Sequence, residues 1–196
     1  MVKKLLIVLL FSASFYTFAQ QDKKWSIEVN YGIIPQDGFG GEDNITDLGI
    51  KYRFADFDFI QLGFGINGGF SRLDFVNIEG DGGLTESFYI QPRIFSEFII
   101  PGSERLRPSI GLGYSWVQQK FEQGFGEDQW FGDVTNGGFN LNVGLSYDIT
   151  KRLFVQGQYD FINLNQRDGF TFNGELVKPD SNIKLNNIKL GVGFRF

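Results

Sequence analysis

Apolar and polar residues alternate one by one along much of the chain, and the pattern is clearest in two segments. Every second residue is apolar in the first segment, at Phe139, Leu141, Val143, Leu145, Tyr147 and Ile149. The end of the sequence repeats this with Ile188, Leu190, Val192, Phe194 and Phe196. A period of two places alternate side chains on opposite faces of a β-strand. Both segments therefore predict strands with one apolar and one polar face.

Six more segments follow the same pattern, which brings the predicted strands to eight. They cover residues 25–31, 48–54, 60–66, 88–98, 110–116 and 153–161. Three connections between segments are short, at 55–58, 99–107 and 150–152. Four are long, at 34–45, 76–86, 122–137 and 165–183. We predict an all-β fold, a transmembrane antiparallel up-and-down β-barrel of eight strands with short periplasmic turns and long extracellular loops.

The first residues have the features of a secretory signal. Lys3 and Lys4 provide a positive start, and an apolar run follows at 5–11. The segment ends with Thr17-Phe18-Ala19, which places small residues where signal peptidase requires them. This order is typical of a cleaved signal peptide. We predict a signal peptide over residues 1–19 and one outer-membrane β-barrel domain over residues 20–196.

Composition argues against most enzyme chemistry. The chain has no cysteine and no histidine, which excludes disulfides, thiolate metal sites, a cysteine nucleophile and a histidine base. We therefore expect no enzymatic activity, no catalytic residue, no metal site and no cofactor. The formal net charge of −5 also argues against a nucleic-acid partner.

The polar faces of the predicted strands carry few charges, and their signs nearly balance. Glycine, asparagine, glutamine and serine fill most of the other positions, so this face is more typical of a packed lumen than of a solvated surface. We predict that nine residues form a lumen charge network: Glu28, Lys51, Arg53, Arg93, Glu97, Asp148, Asp160, Lys189 and Arg195. If the faces were reversed, the barrel would be a soluble lipocalin-like carrier with an apolar interior.

A glycine motif lies within the third predicted strand. Residues 63–68 read Gly-Phe-Gly-Ile-Asn-Gly, which matches the GxGxxG pattern of dinucleotide-binding proteins. That site requires a helix directly after the motif, whereas Phe64, Ile66 and Phe70 continue the alternation of a strand. We interpret the motif as a run of lumen glycines.

The predicted loops carry acids and aromatic residues. The acids are Asp37, Glu42, Asp43 and Asp47 in the first loop and Glu122, Glu127, Asp128 and Asp133 in the third. Their spacing matches no calcium loop, and solvation is the simpler role. Candidate contact residues for a protein partner through loops 3 and 4 are Phe125, Trp130, Phe131, Phe170 and Phe172. The alternatives are that these aromatic side chains pack across the barrel mouth or lie at the lipid boundary.

The chain resembles the small OmpA/OmpX-like eight-stranded outer-membrane barrels, and more narrowly the compact barrels of the Bacteroidota. The resemblance rests on Thr17-Phe18-Ala19-Gln20, the eight alternating segments and the ending Lys-Leu-Gly-Val-Gly-Phe-Arg-Phe at 189–196. It implies a location in the bacterial outer membrane, among lipid and lipopolysaccharide. It also implies that Phe194 and Phe196 form the assembly signal that the barrel-assembly machinery recognises.

These features predict a non-enzymatic structural or surface-interaction protein with a plugged polar lumen, whose extracellular loops make the contacts. Two alternatives stay open: a narrow gated channel for small solutes, and the lipocalin-like carrier. An outer-membrane enzyme ranks last because no candidate catalytic set stands out.

Overall fold

The computed structural model describes residues 23–33, 44–76, 82–125, 128–165, 170–172, 175–177 and 182–196. Within these ranges the chain forms ten strands: β1 Trp25–Ile33, β2 Asn44–Phe57, β3 Ile60–Val76, β4 Gly82–Phe98, β5 Leu106–Phe125, β6 Asp128–Asp148, β7 Leu153–Asn165, β8 Phe170–Phe172, β9 Glu175–Val177 and β10 Asn182–Arg195. The predicted signal peptide, 1–19, lies outside the described residues and stays a prediction. No helix in the described ranges is long and apolar enough to cross a membrane.

Eight of the strands close into an antiparallel barrel, as the alternation predicted. Neighbours in sequence pair with each other from β1 to β7, and β10 closes the ring between β7 and β1. The closing ladder joins Ser26 to Arg195 and Ile33 to Ile188. The two remaining strands, β8 and β9, pair separately as a short hairpin. We call the end of the barrel with the short connections and residues 25 and 196 the turn end, and the opposite end the loop end.

Large apolar side chains point outward along the barrel wall, and polar ones point inward. In β7, exposed and buried positions alternate along the strand. Leu48, Ile94 and Leu190 are each about two-thirds exposed, whereas Asn30, Asn67 and Asp160 are fully buried. An apolar exterior and a polar interior suit a barrel surrounded by lipid. The lipocalin-like alternative, with the apolar face inside, is therefore wrong.

Inward-facing glycines make room for the large side chains of the interior. A Cβ atom at Gly63 would overlap the ring of Phe95, one at Gly69 the ring of Tyr89, and one at Gly193 the ring of Phe154. Each glycine thus leaves the space that an aromatic ring on another strand fills. The GxGxxG motif lies in β3, so its interpretation as part of a strand is confirmed; Gly63 and Gly65 face inward, but Gly68 lies on the outer face.

The third predicted loop, 122–137, is largely wrong. There β5 continues to Phe125 and β6 begins at Asp128, and these two residues face each other in the ladder. The second connection is also shorter than the predicted loop, 76–86, because β3 reaches Val76 and β4 begins at Gly82. The strands stay paired where the alternation of apolar and polar residues ends. Beyond the apolar belt a strand needs no apolar face, but hydrogen bonds to the neighbouring strand still satisfy its N–H and C=O groups.

Candidate functional site

The turn end of the lumen holds a cluster of five charged residues, which we call the turn-end cluster: Arg53, Glu97, Arg107, Asp148 and Arg195. Glu97 contacts all three guanidinium groups, at 2.8 Å from Arg53, 3.2 Å from Arg195 and 3.4 Å from Arg107. Asp148 pairs with Arg195 and lies 3.0 Å from Arg107. Three cations therefore share two carboxylates.

A single ion pair occupies the middle of the lumen. The Lys51 ammonium group lies 2.8 Å from Glu28, and both side chains are buried. The side-chain amide of Asn67 also donates to Glu28 at 3.2 Å. Gln158 donates to the same oxygen at 3.4 Å, so the buried carboxylate receives one charged and two neutral donors, the arrangement that makes a buried ion tolerable.

A second cluster, the inner cluster, lies between the middle and the loop end and consists of Asp47, Tyr89, Arg93, Asp160 and Lys189. The Lys189 ammonium bridges both carboxylates, at 2.6 Å from Asp47 and 2.7 Å from Asp160. Arg93 approaches Asp160 at 3.5 Å, and the Tyr89 hydroxyl donates to Asp47 at 3.0 Å. Two cations balance two carboxylates, and all four side chains are almost completely buried.

An apolar layer separates the inner cluster from the loop end. It consists of Tyr89, Val117, Ile162 and Leu164, with Leu185 packed against it. Because Tyr89 belongs to both groups, its ring faces the apolar layer while its hydroxyl reaches Asp47. Apolar side chains thus lie next to the inner cluster on its loop-end side.

Aromatic rings also contact the cations of the lumen. The Arg195 guanidinium lies 4.1 Å from the ring centre of Phe154. Lys51 and Arg53 lie 5.6 Å and 5.9 Å from the ring centre of Phe95. These cation–π distances are within the range in which a ring stabilises a cation. The rings therefore fill space and stabilise positive charge at once.

Some buried polar atoms of the lumen have no hydrogen-bond partner. They include the Nε atoms of Arg53 and Arg195 and both amide atoms of Asn136. Within the described ranges no group of three or more histidine, cysteine or acidic residues could hold a metal ion. The unpartnered atoms include side-chain oxygens, such as those of Asn67 and Asn140, as well as the Nε atom of Arg93. Of these atoms, the cationic N–H groups of the arginines attract anions.

Partial burial lowers the pKa of Lys23, just before β1 at the turn end. Nearby Arg107, Lys151 and Arg195 lower it further, whereas Asp148 raises it. Lys23 also donates to the backbone carbonyl of Lys151. The turn end is thus crowded with positive charge around the turn-end cluster.

The structure places all nine residues of the predicted lumen charge network on the inner face, and all nine are buried: Glu28, Lys51, Arg53, Arg93, Glu97, Asp148, Asp160, Lys189 and Arg195. It joins them into the two clusters and the central pair. Sequence reasoning missed Arg107 and placed Asp47 among the loop acids, which is wrong. The two-residue spacing from Asp47 to Gly49 and Lys51 on the inner face of β2 was the signal that could have identified Asp47.

The candidate contact residues are only partly described. Phe125 ends β5, Trp130 and Phe131 lie in β6, and Phe170 and Phe172 bound β8, but their side chains lie outside what the structure describes. Phe194 and Phe196 are partly exposed, with ring centres 6.5 Å apart. Their predicted roles stay predictions.

Comparison with known proteins gives the same architecture. The model of the family described as outer membrane protein beta-barrel domain matches residues 5–196. Neisserial surface protein A, from Neisseria, superposes with a TM-score of 0.57 at 13% identity, over 88% of this chain and 96% of that one. The Yersinia pestis attachment invasion locus protein, in complex with a heparin analogue, gives 0.55 at 17% identity over the same shares. No curated protein sequence matches the chain significantly.

Proposed function

The chain belongs to the family of outer membrane protein β-barrel domains, and on this premise we propose that it is a closed, non-enzymatic barrel that presents a projecting β-sheet to a partner at the cell surface. Membership in this family supports a location in the bacterial outer membrane. Lipid and lipopolysaccharide are then its surroundings, and the barrel-assembly machinery is its expected folding partner.

The observation that carries the proposal is the unequal length of the strands. Pairing ends at Ile33–Asn44 between β1 and β2, and at Gly137–Asn165 between β6 and β7. On the other side of the barrel, β3 to β6 stay paired well beyond these points. We call this part the projecting sheet, and it comprises residues 73–76, 82–86, 119–125 and 128–136.

The strands that form the projecting sheet are too long to lie within the membrane over their whole length. The 20 residues of β5 would rise about 50 Å at 3.3 Å per residue and a tilt of about 40°, roughly twice the apolar band of such barrels. Paired backbone outside the membrane offers hydrogen-bonding edges in fixed positions. Such a surface suits recognition of a protein partner.

The side chains that face the lumen support a scaffold rather than a pore. Two charged clusters, a central pair and an apolar layer follow one another from the turn end to the loop end. Eight strands enclose a space that side chains can fill, whereas freely conducting porins use about 16 to 18 strands. The narrow gated channel is the second candidate, and discrete openings in planar-bilayer recordings would favour it.

A site-specific photo-cross-linker tests the proposal in intact cells. We place it at Gln129 in β6 of the projecting sheet and, as matched control, at Lys184, an exposed residue at the loop end of β10. We expect a discrete protein adduct from Gln129 and none from Lys184, with both variants at equal levels in the outer membrane.

Two results would contradict the proposal. One is the absence of any adduct from Gln129 in cells that carry the folded variant. The other is the same set of adducts from Gln129 and Lys184, which would show unselective contact with surface neighbours.

A further inference from the structure

We propose that the turn-end cluster is an oxyanion-binding site, which takes a phosphate group from the turn end of the barrel. The three guanidinium groups of Arg53, Arg107 and Arg195 exceed the two carboxylates of Glu97 and Asp148 by one positive charge. A surplus of positive charge on mostly buried guanidinium groups favours binding of an anion from solution.

The acceptor atoms within the cluster are already in use. One oxygen of Glu97 contacts Arg107 and Arg195, and the other contacts Arg53. The two oxygens of Asp148 contact Arg195 and Arg107, one each. All four carboxylate oxygens thus contact a guanidinium group. Neutral oxygens of Ser26, Gln61 and Ser146 accept one further bond each from Arg53, Arg107 and Arg195, so the cluster has no second counter-charge of its own for the third cation.

Donors are left over in the same place. The Nε atoms of Arg53 and Arg195 are buried without a hydrogen-bond partner, and both side chains are more than nine-tenths buried. An unsatisfied charged donor costs more than a neutral one, so a ligand that accepts these bonds is favoured. Guanidinium groups match the oxygens of phosphate in geometry as well as in charge.

The site opens toward solvent at the turn end. The Arg107 side chain is 20% exposed, whereas Arg53 and Arg195 are each 4% exposed. Lys23 and Lys151 lie beside it, both largely exposed, and add positive charge near Arg107. Arg107 is therefore the residue that an entering anion meets first, and the buried pair lies behind it.

The shared chemistry of the ligand is a phosphate group, either free or on a lipid headgroup. We measure binding of inorganic phosphate by ³¹P NMR to the full chain in phosphatidylcholine nanodiscs. Arg107→Gln should weaken binding about tenfold, the worth of one charge-assisted hydrogen bond. Arg105→Gln, two residues away on the exposed connection before β5, makes the same charge change and should alter binding less than about twofold.

A second arm distinguishes the two sources of phosphate. If phosphatidylglycerol in the nanodisc suppresses the titration by inorganic phosphate, a lipid headgroup occupies the site; if the titration is unchanged, the site takes free phosphate. Either result supports the site. Absence of phosphate binding in phosphatidylcholine nanodiscs, or equal losses in the two arginine variants, would overturn it. Unboiled gel mobility confirms that each variant forms a folded barrel.

Discussion

The turn-end cluster and the inner cluster of the lumen differ in charge balance and in access to solvent. The inner cluster pairs two cations with two carboxylates and lies behind an apolar layer. The turn-end cluster has three cations for two carboxylates, and its Arg107 reaches solvent. Full enclosure thus coincides with charge neutrality, whereas partial exposure coincides with a surplus.

The difference follows from the cost of burying charge. In an enclosed site neither water nor mobile ions can compensate an unpaired charge, so the protein must supply every counter-charge itself. At an open site, water and dissolved ions share this task. The inner cluster should therefore respond strongly to the loss of one charge, and the turn-end cluster weakly.

Removal of Lys189 should have the largest effect. Lys189→Met leaves Asp47 and Asp160 without the ammonium group that bridges them, in a part of the lumen that solvent does not reach. We expect the free energy of unfolding to fall by about 3–5 kcal/mol, the usual cost of breaking a buried ion pair. Urea unfolding in lipid vesicles measures it.

The control is Lys184→Met in the same strand, since Lys184 is exposed. It should change the free energy of unfolding by less than about 0.5 kcal/mol. Equal losses for the two lysine variants would mean that enclosure does not set the cost.

An added methyl group at Gly69 should have an intermediate effect. Its Cβ would overlap the Tyr89 ring and push the hydroxyl away from Asp47. We expect Gly69→Ala to cost about 1–3 kcal/mol, as overpacking does in other close-packed interiors. Gly68→Ala, one residue away on the outer face, should be nearly neutral, because its Cβ would meet only the Tyr89 carbonyl oxygen, at 3.7 Å. If Gly69→Ala lowered the free energy of unfolding less than Gly68→Ala does, the inner cluster would be loosely packed.

Loss of Arg107 should have the smallest effect on stability. Arg107→Gln removes one cation from the surplus and leaves Arg53 and Arg195 to pair with Glu97 and Asp148. We expect a loss of about 1 kcal/mol or less, typical of a partly exposed ion pair. The measurement is the same urea titration. A loss as large as that of Lys189→Met would remove the distinction between the two clusters.

Strand number, closure and the direction of each face were readable from the sequence, because a lipid-facing wall requires strict alternation. Phe139 to Ile149 shows this clearly, and β6 follows it with exposed apolar and buried polar positions. The nine inward charges followed from the same alternation. Whether a residue faces lipid or the lumen can therefore be predicted from a single sequence wherever the alternation is strict.

Features outside the apolar belt were not readable in this way. Asp47 lies close to the start of β2, beyond the last clear alternation, so a loop position and an inner-face position look alike. The glycine-rich stretch before Phe139 reads as a loop but pairs as a strand, because it continues the antiparallel ladder with β5 to which Phe139 and the residues after it belong. Tyr89 and Phe154 were missed as interior residues because each has apolar residues on both sides in the sequence, so neither stands out from the outward-facing positions.

Closure of the ring by β10 has a consequence for the order of events during folding. Lys189 and Arg195 belong to that final strand, and they are the cations that Asp47, Asp160 and Asp148 receive from it. Until β10 arrives, β1 and β7 each present an unpaired edge, and in hydrocarbon every unpaired backbone group costs several kcal/mol. Docking of β10 therefore closes the backbone ladder and brings Lys189 to Asp47 and Asp160 at the same time, and a chain that lacks β10 would lose both the closed ladder and this ion pairing.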